Sequence, residues 1–154
     1  LGAGRTDTGV HATQQYAQFD TDTLVNAERF LYSLQKLLPW DIAVMALYQA
    51  EDTFSVRHDA LHRAYIYAIH QQKDPFLQGL STYVPGKSPD LERMNQAAQH
   101  LLLETDYASF CKYHTANEHF ICHIHQAHWS QEGTRFHFYI KANRFLRGMV
   151  RGLV

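Results

Sequence analysis

Residues 120–140 read FICHIHQAHWSQEGTRFHFYI, and the fold class turns on this stretch. Phe120 to Trp129 and Arg135 to Ile140 are two strand-like runs, and Ser130-Gln131-Glu132-Gly133-Thr134 between them reads as a hairpin loop. Downstream, Phe145, Leu146, Met149, Val150 and Leu153 share one side of a helical pattern. Arg144, Arg147 and Arg151 share the opposite side at i, i+3, i+7 spacing. Upstream, Ser88 is placed to cap a helix with Pro89 at its first position and the acids Asp90 and Glu92 in its first turn. Leu91, Met94, Ala98, Leu101 and Leu102 form that helix's apolar stripe.

Residues 71–88 hold Pro75, Gly79, Pro85 and Gly86 and read as a loop. Before them, Phe54 to Ile69 alternates: Phe54, Val56, Ala60, Ala64, Ile66 and Ala68 on one face, Arg57, Asp59, Arg63, Tyr65 and Tyr67 on the other. The pattern predicts an apolar inner face and a basic, aromatic outer one. Ile42 to Tyr48 reads as a buried strand, and Gln14 to Phe19 as a short one. Between these two, Asn26 is placed to cap a helix carrying Phe30, Leu31, Leu34, Leu37 and Leu38 until Pro39 ends it. Strands interleaved with helices, with at least one hairpin, predict an α+β fold with a largely antiparallel sheet.

The chain has 154 residues, 45% of them hydrophobic and 13% aromatic, enough for one sizeable core. No stretch approaches the roughly 20 apolar residues that cross a bilayer, and Leu1 to Asp7 does not resemble a signal peptide. Two cysteines, Cys111 and Cys122, fit reduced thiols of a cytoplasmic protein. Net charge is only -1, yet no acid follows Glu132, while Arg135, Lys141, Arg144, Arg147 and Arg151 crowd the remainder. A polyanion would be met there. Both ends read as cuts through a longer protein: there is no initiator Met, and Leu153-Val154 interrupts an apolar helical pattern.

Gly2-Ala3-Gly4-Arg5-Thr6-Asp7-Thr8-Gly9-Val10-His11-Ala12 sets a lone carboxylate among glycines, between an arginine and a histidine. Glycines permit sharp turns and close ligand approach, so Asp7 is expected on an exposed, tightly formed loop. The plainest explanation is a turn in which Asp7 bonds local amides. Asp7-Thr8-Gly9 also matches the short string of aspartic proteases, but Arg5 nearby opposes the proton sharing that their paired carboxylates need.

The longer string Gly4-Arg5-Thr6-Asp7-Thr8-Gly9-Val10-His11-Ala12 resembles the signature loop of the tRNA pseudouridine synthase A family, which usually has Ala where Thr8 stands. Three further segments resemble that family in the same order. They are Phe54-Ser55-Val56-Arg57 leading to Arg63-Ala64-Tyr65-Ile66-Tyr67, then Asp106-Tyr107-Ala108-Ser109-Phe110-Cys111, then Phe145-Leu146-Arg147-Gly148-Met149-Val150-Arg151. The resemblance covers essentially the whole chain, and an ordered set of motifs is far more specific than one.

That resemblance implies Asp7 as the catalytic carboxylate, Arg151 as its basic partner and Tyr65 against the target base. It also implies a mixed α+β pseudouridine synthase fold with an antiparallel sheet lining an RNA cleft, a single catalytic region over residues 1–154 lacking both its flanks, and a homodimer working without a cofactor. The implied reaction isomerises uridine to pseudouridine in the anticodon stem-loop of tRNA, with no role for DNA or a membrane. Arg5 and Arg63 are candidate phosphate clamps, and Arg144 and Arg147 candidate RNA contacts.

Two other readings compete. A non-catalytic RNA-binding module could use Arg63, Tyr65 and Tyr67 as a stacking platform. A zinc protein could be built on His114, His119, Cys122, His123, His125 and His128. In an alternating strand, however, His123 and His125 share one face and Cys122 and His128 the other, so four ligands cannot converge without a bulge. No metal is expected.

Overall fold

The computed structural model describes residues 1–112 and 119–154. These form two compact units, one of residues 1–4 and 14–59, the other of residues 5–13 and 60–154. No helix among the described residues is long and apolar enough to cross a membrane.

In the first unit one helix, α1 (Ala27–Leu37), starts where its cap predicts: the Asn26 side-chain oxygen accepts from the Arg29 N–H at 2.9 Å. Glu28 in its first turn and Lys36 in its last oppose the macrodipole. Phe30, on its apolar side, stacks on Phe19 with ring centroids 5.4 Å apart. The Gln18 amide donates to the Phe54 carbonyl at 2.9 Å and accepts from the Val56 N–H at 3.0 Å, fixing a turn that leaves Val56 buried.

Two strand expectations fail in this unit. Ile42 to Tyr48 is not a buried strand: Ile42, Met45 and Tyr48 are exposed and the segment joins no ladder among the described residues. An apolar run becomes a strand only where a partner takes its backbone groups. Gln14 to Phe19 reduces to one antiparallel bridge, Ala17 to Gly2.

The second unit holds the sheet. Its strands are β1 (Arg63–His70), β2 (Thr82–Tyr83), β3 (Ile124–Glu132) and β4 (Arg135–Ala142), in the order β2-β1-β4-β3. Only the short β1–β2 pair is parallel. The α+β class with a largely antiparallel sheet is therefore what the chain adopts. The hairpin is tighter than predicted: β3 runs on through Glu132, leaving Gly133 and Thr134 as a two-residue turn, with Gly133 at φ 58° as such turns require.

Helix α2 (Leu91–His100) packs on β3, and α3 (Met149–Leu153) lies against the 3₁₀ turn Ala108–Phe110. The cap of α2 is Asp90, whose carboxylate accepts from the Arg93 N–H at 3.1 Å, so the helix begins after Pro89 rather than with it. The core fills one sheet face with Ala127, Phe138, Ile140 and Ala142, and adds Tyr107, Cys122, Leu146 and Met149. At roughly 25 cal/mol per Å² of apolar surface removed from water, such burial is the main stabilising term.

The faces of β1 are the reverse of the expectation. Tyr65 is paired with Ile140, Tyr67 with Phe138 and Ile69 with Phe136, so the tyrosines pack on the core while Ile66 is 65% exposed. Cross-strand neighbours point to the same face, and β4 carries the bulkier apolar set there. The strand also starts only at Arg63; before it, the Asp59 carboxylate accepts from the Ser55 N–H at 2.7 Å and holds a turn.

Candidate active site

Asp7 sits at the start of a tight turn. The Val10 N–H donates to the Asp7 carbonyl at 3.4 Å, and Gly9, third in the turn, takes φ 79°, which a side chain would disfavour. This leaves the Asp7 side chain 44% exposed, its Oδ2 lying 3.5 Å from Nε of Arg151, itself 58% exposed. An ion pair this wet adds little to stability, so its consequence is orientation.

Arg151 comes from α3, with one glycine just before the helix and one within it. Gly148 precedes it at φ 75°, where an added methyl would also stand 3.5 Å from the Lys112 Cβ; a methyl on Gly152 would meet the Phe110 ring at 3.6 Å. The Lys112 N–H donates to the Arg147 carbonyl at 2.8 Å, tying the segment after the 3₁₀ turn to the entry of α3. Asp7, Thr8, Ser109, Lys112, Gly148 and Arg151 line a cavity of about 620 Å³. A half-exposed carboxylate held by a guanidinium on such a wall can attack an electrophilic carbon or offset positive charge developing on it.

A model of the tRNA pseudouridine synthase family matches residues 97–154, the part that holds β3, β4 and Arg151. Curated relatives extend the match over the chain. The tRNA pseudouridine synthase A of Parabacteroides distasonis is 43% identical over all of this chain and 61% of its own length. That of Bacteroides thetaiotaomicron is 42% identical over all of the chain and 58% of the relative. That of Staphylococcus saprophyticus is 38% identical over 99% of the chain and 57% of the relative. The chain is similar to tRNA pseudouridine synthases along its whole length. It spans about three fifths of the length of these relatives.

The other residues singled out by the synthase resemblance are distributed more widely. Tyr65 does not line the cavity that Asp7 and Arg151 share; its ring stands edge-on to Phe145, centroids 5.1 Å apart at 77°, just before the turn into α3. Arg63 donates to the carbonyls of Ala60 at 3.4 Å and Asn143 at 3.1 Å, so its guanidinium ties the segment entering β1 to the segment leaving β4 at one end of the sheet. Arg5 is exposed on the Asp7 loop.

Arg144 and Arg147 do not share a helical face with Arg151, because both precede α3 and Gly148 breaks the helical path between them. Arg144 bonds the His119 ring, at 3.0 Å to Nε2, while Arg147 is exposed in the turn.

The histidine segment does contain a bulge: the ladder runs from Ile124 opposite Ala142 to Gln126 opposite Lys141, and His125 is the extra residue. It separates the pair expected on one face, since Cys122 is fully buried in the core and His128 is exposed beside the Tyr139 ring. Burial pushes the Cys122 thiol up. Desolvation lowers His62, assisted by Lys141 and by the ring of His125, which it meets edge-on at 4.6 Å. Among the described residues no three His, Cys, Asp or Glu side chains are grouped as metal ligands would be, and His114 lies outside them.

Sequence reasoning passed over Lys112, Gly148 and Gly152 as parts of this wall. The signal was present for the glycines, which are spaced four apart in an otherwise apolar and basic segment.

Proposed function

We propose that residues 1–154 form one catalytic region of an enzyme that isomerises uridine to pseudouridine in tRNA, with Asp7 as the catalytic carboxylate. One observation carries this reading. Asp7 and Arg151, from opposite ends of the chain and from two separate family-like motifs, meet as an ion pair on the wall of one cavity.

The reaction breaks the bond between C1′ and N1, turns the uracil, and joins its C5 to C1′. N1 leaves with the bonding pair, C5 then supplies the pair for the new bond, and the C5 proton is released as N1 gains one. Atoms and electrons balance within the nucleotide, and no external oxidant or reductant enters. Asp7 acts at C1′, as nucleophile or as counter-charge, and Arg151 holds it in place. The target base must leave its helix before C1′ is reachable. The family resemblance assigns the contact with that base to Tyr65, whose ring lies outside the cavity wall, edge-on to Phe145.

Arg5 and Arg147 serve as phosphate contacts on exposed positions, with Arg63 and Arg144 bracing the same region. The anticodon stem-loop is the expected target, a homodimer the expected assembly and the cytoplasm the expected compartment. Incubation with an unmodified tRNA transcript, followed by nucleoside chromatography, tests the reading. Pseudouridine should accumulate at the expense of uridine. Tight tRNA binding without any pseudouridine would favour the RNA-binding module instead.

A further inference from the structure

We propose that Lys112 is a positioning residue that holds a backbone phosphate of the nucleotide presented to Asp7. The inference rests on the synthase reading of the same cavity and adds a contact to it.

Among the described residues, three charged ones line that cavity: Asp7, Arg151 and Lys112. Asp7 and Arg151 are engaged with each other at 3.5 Å. A uridine within RNA brings a neutral base, a C1′ that must approach the carboxylate, and phosphodiesters on the same sugar. A wall that admits C1′ beside Asp7 therefore brings a phosphate close, and a carboxylate alone would repel it. Lys112 supplies the compensating cation, and a lysine ammonium is a point charge well suited to a phosphate.

The backbone geometry makes that placement reproducible. The Lys112 N–H is bonded to the Arg147 carbonyl at 2.8 Å, and the Lys112 Cβ stands 3.5 Å from where Gly148 would carry a methyl. The root of the lysine is thus fixed against the same turn that launches α3 and Arg151. Its four-carbon stem reaches from a fixed point, which reduces the ordering cost of a phosphate contact. Arg151 and Lys112 then divide the work, one holding the carboxylate and the other the substrate.

The test compares Lys112→Met and Lys112→Arg with the unsubstituted protein, using an unmodified tRNA transcript. Methionine keeps the stem and the backbone bond while deleting the charge. Lys112→Met should weaken tRNA binding about 10-fold, as loss of one charge-assisted contact does, and reduce the slope of log affinity against log salt by about one unit. In turnover the loss should fall on KM far more than on kcat. Lys112→Arg should recover most of the affinity and the slope.

An unchanged slope and affinity in Lys112→Met would overturn the proposal, as would a loss confined to kcat. A protein whose binding shows the Lys112-dependent slope but which makes no pseudouridine keeps the phosphate contact and refutes the reading of function beneath it. A protein that does not bind tRNA refutes both.

Discussion

Asn95 on α2 takes both backbone groups of Trp129 on β3: its side-chain oxygen accepts from the Trp129 N–H at 2.8 Å and its amide donates to the Trp129 carbonyl at 3.0 Å. Since β3 is an edge of the sheet, one side chain stands in for a missing neighbouring strand. Asn95→Leu should lower stability by about 1–3 kcal/mol, the cost of leaving partly buried amide groups unpaired. Urea denaturation measures it. A loss near zero would mean that water replaces Asn95 at this edge.

Tyr107 should impose a pH dependence at the alkaline end. Burial, then Cys122 and Glu104, push its hydroxyl up to about 12, and that hydroxyl donates to the Leu101 carbonyl. With an unfolded value near 10, the folded chain holds the proton more tightly. The stabilisation is complete below pH 10 and is lost as the pH rises toward 12. Tyr107→Phe should cost about 1 kcal/mol at neutral pH and flatten the fall in stability over that window. The same slope in both proteins would assign the alkaline loss to other groups.

Gly148 and Gly152 should respond differently to alanine. At φ 75° Gly148 is in the left-handed region, where a Cβ costs about 1–2 kcal/mol even though the methyl itself would find room. Gly152 is helical and its added methyl meets Phe110 at an ordinary contact distance, so helix propensity offsets any loss. Thermal denaturation should place Gly148→Ala well below Gly152→Ala. Equal midpoints would show that the turn before α3 relaxes freely.

The parts legible in the sequence were those governed by near neighbours. Asn26 capped α1, Gly133 turned the hairpin, and the glycine-flanked loop exposed Asp7. What escaped depends on partners distant in the chain. Tyr65 faces the core because Ile140 lies beside it, which strand alternation alone cannot reveal. Ile42 to Tyr48 has the composition of a buried strand without a ladder to join. The arginine stripe was a correct reading of helical spacing applied across Gly148, whose backbone is not helical.

That break changes what the basic residues should do. Arg147→Ala removes an exposed cation and should reduce the slope of log tRNA affinity against log salt by about one unit, without affecting folding. Arg144→Ala also removes the bond to His119, so it should lower stability as well as the slope. Filter binding across a salt series, with melting curves alongside, separates them. Identical behaviour of the two variants would show that the His119 contact contributes nothing.

The ion pair between Asp7 and Arg151 is tested most directly by the turnover of Asp7→Asn, measured in a protein carrying the full length of its relatives. Asparagine keeps the shape of the side chain and one acceptor oxygen but removes the charge proposed to act at C1′. Pseudouridine formation should fall by about 10³-fold or more while folding is unchanged and tRNA affinity is held or raised, because Arg151 loses its counter-charge. Pseudouridine formation by the Asn variant at near the wild-type rate would contradict this, and would make Asp7 a turn residue.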